Sequence, residues 1–165
     1  VSVADAVEAI GSFTGTGRRF ELLGRANGIE VYDDYAHHPT EVRATLAAAR
    51  GFRDRRIVAI FQPHLYSRTR DLMDDFAAAF NDADVVIINS IYAAREDPME
   101  GVSSEELARR IQKQKNNGQV LYRDSQEHIV HELLEMVREG DLILTIGAGD
   151  IRRVGEEVAA RLQRS

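Results

Sequence analysis

The sequence predicts an α/β domain of the doubly wound, Rossmann-like kind: a mostly parallel sheet flanked by helices, with an antiparallel hairpin near the N-terminus. Three observations lead there. After residue 32, short apolar runs alternate with helical stretches, the pattern of βαβ units. Runs such as Val85-Val86-Ile87-Ile88 are apolar at every position, as strands covered on both faces must be. Asn27-Gly28 separates two strand-like segments, and this dipeptide favours the tight turn of a hairpin.

Residues 2–13 read as a short helix with Val3, Val7 and Ile10 on one face, ended by the glycine-rich segment 11–17, a boundary or hinge. Segments 20–23 and 29–32 form the hairpin. Further strands are expected at 57–61, 85–89, 120–122 and 142–146. Helices are expected near 39–50, 68–80, 104–115, 126–138 and 151–163. Val42, Leu46 and Ala49 make one apolar helix stripe, Leu72, Phe76 and Phe80 a second, and Ile151, Val154, Val158 and Leu162 a third. Pro39 suits a first helical position, where its missing N–H costs nothing. Ser103 with Glu106 reads as a capping box.

At 165 residues the chain is one domain's worth and long enough to bury a core. Apolar residues at 44% and charged residues at 29% exclude a disordered chain. A net charge of -6 argues against a nucleic-acid partner. No apolar run is long enough to cross a bilayer, so no membrane partner is expected and the cytoplasm is the default compartment. Without cysteine there is neither disulfide nor thiolate metal site, and no histidine–carboxylate spacing supports zinc. Only Lys113 and Lys115 are lysines, and no G-x-x-x-x-G-K-[ST] run exists. Any nucleotide chemistry must borrow its phosphate cradle from elsewhere.

Two turns carry dense chemistry. Asp33-Asp34-Tyr35-Ala36-His37-His38-Pro39-Thr40-Glu41 follows one strand, and Gln62-Pro63-His64-Leu65-Tyr66-Ser67-Arg68-Thr69-Arg70 follows the next. Polar groups at strand-to-helix turns are where such sheets place ligands, and both turns at one end of neighbouring strands imply one shared site. Asp33 and Asp34 suit ribose hydroxyls, a metal or an amine; the alternative is that Asp34 and His38 cap the hairpin and the helix. Ser67 reads as an N-cap, which puts Arg68 and Arg70 in a first helical turn. Cations there oppose the helix dipole by roughly 0.3–1 kcal/mol each. A bound carboxylate or phosphate would reverse that sign; against it stands a plain surface reading, with Asp71 as partial compensation. His64 contacts ligand or packs beneath its turn, and His128 and His131, three apart on a helix, are surface or packing residues. Gly147-Ala148-Gly149-Asp150 has the look of a weak phosphate loop, but with Asp150 as N-cap its charge would repel a phosphate, and it reads mainly as a tight strand-to-helix turn.

These residues resemble the C-terminal domain of the Mur ligases. The likeness runs through Arg18-Arg19-Phe20-Glu21, the two turns above, Ile91-Tyr92-Ala93-Ala94, Pro98, Gly101-Val102-Ser103 and Gly147-Ala148-Gly149-Asp150. The resemblance makes residues 1–16 the tail of a preceding ATP-binding central domain with its hinge, and 17–165 the C-terminal domain. It implies ATP and Mg2+ held mainly by that central domain. The implied reaction belongs to peptidoglycan precursor synthesis and joins L-alanine to UDP-N-acetylmuramate through an acyl phosphate. Asp34 would then lie near the ATP ribose, and Tyr35 and His37 would face the reacting substrates, with His37 the catalytic candidate. Arg68 would bind the alanine carboxylate, with His64 and Arg70 beside it. Leu65 stands where many relatives carry arginine, so a second guanidinium is either lost or supplied by Arg70, and Arg95-Glu96 replaces a frequent Gly-Glu. Two alternatives stay open. A related ligase attaches a tripeptide to the same nucleotide sugar but normally lacks the Tyr-Ser-Arg-Thr turn. The other alternative is a non-catalytic anion- or nucleotide-binding module.

Overall fold

The computed structural model describes residues 17–52, 55–115 and 117–164. The predicted helix over 2–13, most of the glycine-rich hinge, and the assignment of 1–16 to a preceding domain lie outside them. Asn27 and Gly28 both take positive φ, 51° and 74°, the left-handed pair that matches a turn to the twist of its strands. Strand β1 (Glu21–Ala26) therefore folds back on β2 (Ile29–Asp34), with Ala26 opposite Ile29. Then come α1 (Pro39–Arg50), β3 (Ile57–Phe61), α2 (Tyr66–Asp71), α3 (Met73–Ala77) and β4 (Val85–Asn89). The rest is α4 (Ser104–Gln114), β5 (Gln119–Arg123), α5 (Gln126–Met136), β6 (Leu142–Ile146) and α6 (Arg152–Leu162).

The six strands lie in the order β1-β2-β6-β3-β4-β5. Only β1 runs antiparallel to its neighbour. Side chains alternate across the sheet, so β3 sends Ile57, Ala59 and Phe61 into one core and Val58 and Ile60 into the other. The first core takes Val42 and Leu46 of α1, Phe76 of α3 and Leu107 and Ile111 of α4. The second takes Ile129 and Leu133 of α5 with Val154 and Val158 of α6. The sheet is thus covered on both faces, as its unbroken apolar strands require. Strand β6, last in sequence, inserts between β2 and β3 and leads to a helix on the opposite face from theirs. That makes a topological switch point at the carboxyl ends of β2, β6 and β3, where this architecture opens a crevice.

The structure corrects several local expectations. The dense turns follow β2 and β3, which are not neighbours; β6 pairs with both. The helix expected over 68–80 is two short ones that meet at Leu72 (φ -116°, ψ 20°). Ser67 is not the N-cap: Leu65, at φ 72°, holds that position without a side-chain hydrogen bond. In a helix of 6 residues Arg68 and Arg70 both fall in the last turn, where the dipole favours cations, so the expected conflict does not arise. Asp150 does not cap α6 either, since the N-cap is Ile151. At α4 the Ser103 hydroxyl accepts from the Glu106 amide at 3.1 Å, but the Glu106 carboxylate turns to Arg109 and Arg110 instead of closing a capping box.

Ahead of the crevice, Asp33 is wholly buried and accepts from Arg18 Nε (2.9 Å), Arg152 (3.3 Å) and the Thr145 hydroxyl (2.8 Å). Arg152 in turn is held by Glu21 at 2.8 and 2.9 Å. Its guanidinium, helped by the Arg18 amide, holds the Glu21 carboxyl down at about 2 against the usual 4.5. A carboxylate with a depressed folded pKa stabilises the protein above its unfolded pKa and loses that contribution as pH falls. Melting temperature should therefore decline as pH drops from 4.5 towards 2, and Glu21→Gln should flatten that part of the profile in circular-dichroism melts.

Candidate functional site

Each wall of the crevice is a strand-end turn whose backbone is tied down by buried polar groups. After β2, Asp34 (5% exposed) accepts from the amides of Phe20 and Ala36, both at 2.8 Å. This pins the turn and buries Ala36, which leaves Tyr35 and His37 to face outward. The capping alternative holds for His38: its Nδ1 accepts from the Thr40 amide at 3.3 Å. Glu41 completes the box by accepting from the amides of His37 (2.9 Å) and His38 (3.2 Å). Burial would raise the Glu41 carboxyl, but those amides and the His37 ring outweigh it and hold it low. His37 Nδ1 lies 3.0 Å from the Tyr35 carbonyl and 3.5 Å from Glu41.

The turn after β6 sits between the other two. Its Gly147 amide donates to Asp34 O at 3.0 Å, and Gly147 O accepts from Arg18 at 2.7 Å. On the other side Gln62, 4% exposed, uses both ends of its amide. Its Oε1 accepts from the Asp150 amide at 3.0 Å, while its Nε2 donates to Asp150 Oδ1 at 2.8 Å and Asn89 Oδ1 at 3.3 Å. Gln126 also donates to Asp150 at 2.7 Å. Asp150 thus ties β3, β6 and α5 together, a task different from the expected cap.

Over this floor runs a row of rings. The Arg18 guanidinium lies 4.9 Å above the Tyr35 ring. Tyr35 meets His37 edge-on at 5.4 Å, His37 meets His64 at 6.3 Å, and His64 stacks on Tyr92 at 5.5 Å. His37 and His64 come from the two turns singled out in the sequence, so those turns do meet at one crevice. Arg68 stands behind His64, with a guanidinium nitrogen 3.2 Å from His64 Nδ1. A guanidinium has only donors, so His64 must accept through Nδ1 and carry any ring proton on Nε2. Burial, Arg68 and His37 together push the His64 pKa below its usual 6.5. Arg70 is not brought to this wall: it donates to Asp71 at 2.8 Å and lines a separate cavity of about 390 Å³ with Asp74, Asp75 and Arg110.

Arg68 differs from its peers in one respect. Arg18, Arg55, Arg56, Arg110, Arg123 and Arg152 are also half-buried, and each pairs with a carboxylate. Among the described residues Arg68 alone of this set has no carboxylate within ion-pair distance. Arg68 therefore keeps donors that its peers spend on carboxylates. Its first-turn neighbour Ser67 is held by Glu96, which accepts from the Ser67 amide at 2.9 Å and from its hydroxyl.

Sequence reasoning placed Gln62 in a chemically dense turn but gave it no role, and missed Arg18, Tyr92 and Glu96 as lining of the crevice. Tyr92 was within reach, because it follows a further parallel strand at the same end of the sheet. Arg18 and Glu96 carry no local signal; their roles depend on contacts with residues distant in sequence. Among the described residues no three His, Asp or Glu side chains converge as a metal site.

A six-stranded, mostly parallel sheet covered by helices on both faces, with its strand-end turns meeting at a switch point, defines the doubly wound α/β class. More particularly, the chain belongs to the Mur ligase family, residues 18–149 matching the Mur ligase glutamate ligase domain. It is 49% identical over 154 residues to a UDP-N-acetylmuramate–L-alanine ligase of Geotalea daltonii, covering 93% of this chain and 33% of that one. Against the ligase of the same name from Symbiobacterium thermophilum the identity is 54% over 158 residues, covering 94% and 32%. The solved UDP-N-acetylmuramate-alanine ligase MurC of Thermotoga maritima superposes with a TM-score of 0.79 at 27% identity, over 99% of this chain and 34% of that one. A murein peptide ligase, mpl, from Psychrobacter arcticus gives 0.73 at 28% identity, over 100% and 34%. The chain spans about a third of the length of the curated relatives it matches.

Two outcomes follow from this packing. A Cβ on Gly149 would fall 2.2 Å from Gln62 Oε1 and 2.8 Å from the Tyr92 ring. Because Gln62 cannot retreat without releasing Asp150, Gly149→Ala should cost about 1–3 kcal/mol in urea unfolding. For His64, a folded pKa below the unfolded value means that the unfolded chain takes up the proton first. Stability should fall as pH drops below 6.5, and NMR titration should show His64 protonating below that value.

Proposed function

We propose that this chain is the amino-acid-binding, closing domain of an ATP-dependent ligase that joins L-alanine to UDP-N-acetylmuramate. In this reading ATP phosphorylates the muramate carboxylate, the amine of alanine attacks the resulting acyl phosphate, and phosphate leaves as the amide forms. The observation that carries it is the unpaired, half-buried Arg68 guanidinium beside the ring row. Its fork matches an α-carboxylate, and capture of that group orients the amine for attack. His64, kept from protonating by burial and by Arg68, holds the guanidinium without competing for the anion. In this reading Tyr35 and His37, at the other end of the same row, face the reacting groups, and His37 is the candidate for moving a proton there; their place in the row beside His64 supports it.

Asp34 is the residue proposed nearest the ATP ribose. At 5% exposure it accepts from the amides of Phe20 and Ala36, so in this reading it acts by holding the turn that approaches the ribose. The described residues do not fit a metal site, and the sequence has no phosphate-binding glycine loop with lysine. In this reading the triphosphate and Mg2+ are held by the central domain of the complete enzyme, so the partners of this chain are that enzyme's own N-terminal and central domains. The Tyr66-Ser67-Arg68-Thr69 turn supports alanine as substrate over the tripeptide of the recycling ligase.

In the complete enzyme, Arg68→Ala should raise the KM for L-alanine far more than that for ATP. A charge-assisted hydrogen bond is worth ~1.5–3 kcal/mol, so roughly ten- to a hundredfold is expected in steady-state kinetics. An unchanged alanine dependence would overturn the assignment. His37→Ala should cut turnover strongly and leave the melting temperature close to the parent; the reverse result would reduce His37 to a structural part of the turn. The chain alone should show no ATP turnover with muramate nucleotide and alanine present.

A further inference from the structure

We infer that Glu96 is a positioning residue for Arg68: it latches the loop after β4 to the first turn of α2, so that Tyr92, His64 and Arg68 move as one unit. The inference rests on the alanine-carboxylate reading for its consequence in catalysis, and on geometry alone for the coupling itself.

Helix α2 is too short to hold itself. Its 6 residues begin at a left-handed Leu65 that offers no side-chain cap, and an isolated helix of that length is unstable in water. Two sets of contacts supply what the helix lacks. The first is a backbone bridge in which Tyr92 N donates to Pro63 O at 2.8 Å and Leu65 N donates to Tyr92 O at 3.0 Å. The second is Glu96. Ala94 takes a left-handed φ of 54° and Glu96 N donates back to Ala93 O at 2.9 Å, a turn that swings the Glu96 side chain towards α2. One carboxylate oxygen accepts from the Ser67 amide at 2.9 Å and the other from the Ser67 hydroxyl. The orphan amide and the positive end of the short helix thus meet an anion supplied by the chain itself.

The next residue along is Arg68. With Ser67 clamped, the Arg68 backbone is fixed, and its fork rests on His64 Nδ1 at 3.2 Å and, more distantly, His64 O at 3.5 Å. His64 is fixed by its stack on Tyr92, in the same loop as Glu96. Glu96 makes no ion pair with Arg68 within 4 Å. The carboxylate therefore holds the guanidinium in place while leaving its outer face to a ligand. Nothing in the structure accounts for the neighbouring Arg95 in place of glycine.

Glu96→Ala and Glu96→Gln separate positioning from charge. His64 is faced by Arg68, His37 and Glu96, and by the Tyr92 ring. Removing the Glu96 charge by itself lowers the His64 pKa, whereas releasing Arg68 from Nδ1 raises it, and Arg68 has the larger influence of the two. The amide oxygen of Gln can still accept from Ser67. NMR titration of His64 in this chain should therefore move upward in Glu96→Ala and slightly downward in Glu96→Gln. Downward shifts in both variants, or none in either, would overturn the coupling. In the complete enzyme Glu96→Ala should raise the KM for L-alanine on the order of ten- to a hundredfold while the KM for ATP and kcat hold, and Glu96→Gln should restore most of the loss. If the His64 shifts appear but neither Arg68→Ala nor Glu96→Ala changes the alanine KM, the coupling stands and the alanine reading falls.

Discussion

The placement of β6 between β2 and β3 is the constraint on which the crevice depends. A strand paired on both sides cannot slip, and its carboxyl end delivers the Gly147-Ala148-Gly149 turn between the two chemically dense ones. Arg18 joins that turn to β2 through Gly147 O and Asp33, and Gln62 joins it to β3 through Asp150. The approach is close enough that glycine is required at 149, where a Cβ would enter the space of Gln62 and Tyr92. Without this floor, Tyr35, His37 and His64 would project from separate turns with nothing to set their spacing.

Charge in this region is divided between structure and ligand. Asp33, Asp34, Glu41, Glu96 and Asp150 all lie at or near the crevice, and each is committed to amides, guanidinium groups or side-chain amides of the protein. The acidic groups that look most like ligand donors in the sequence therefore serve mainly to hold loops. The groups without a carboxylate or amide commitment are cationic and aromatic: among the described residues Arg68 has no carboxylate partner, and the Tyr35 and Tyr92 rings are exposed. Such a surface suits an anion or a planar ring.

Much of the fold was legible because it rests on local chemistry. The turn at Asn27-Gly28, the proline opening α1 and the unbroken apolar runs of β3, β4 and β6 each encode their conformation in neighbouring residues. Expected and observed strands coincide at 57–61, 85–89 and 142–146. The failures have two causes. Glu106 left its capping role for Arg109 and Arg110, one turn along its own helix, whereas Ser67 and Asp150 are good local candidates that lost to partners distant in sequence, Glu96 and Gln62. A polar side chain takes the strongest partner within reach, and reach is set by the tertiary fold.

By itself the sequence determined the class of fold, the two turns that carry chemistry and, through its motifs, the family. Only the tertiary structure decided which of those residues meet. It joined His37 to His64 across an intervening strand, sent Arg70 to another cavity, brought Tyr92 under His64, and left Arg68 without a carboxylate. The physical reason is that hydrophobic periodicity and turn chemistry act over a few residues, whereas strand order is chosen by how the whole sheet buries its two faces. That order, with β6 taken from the end of the chain into the middle of the sheet, set the neighbours of every group in the crevice.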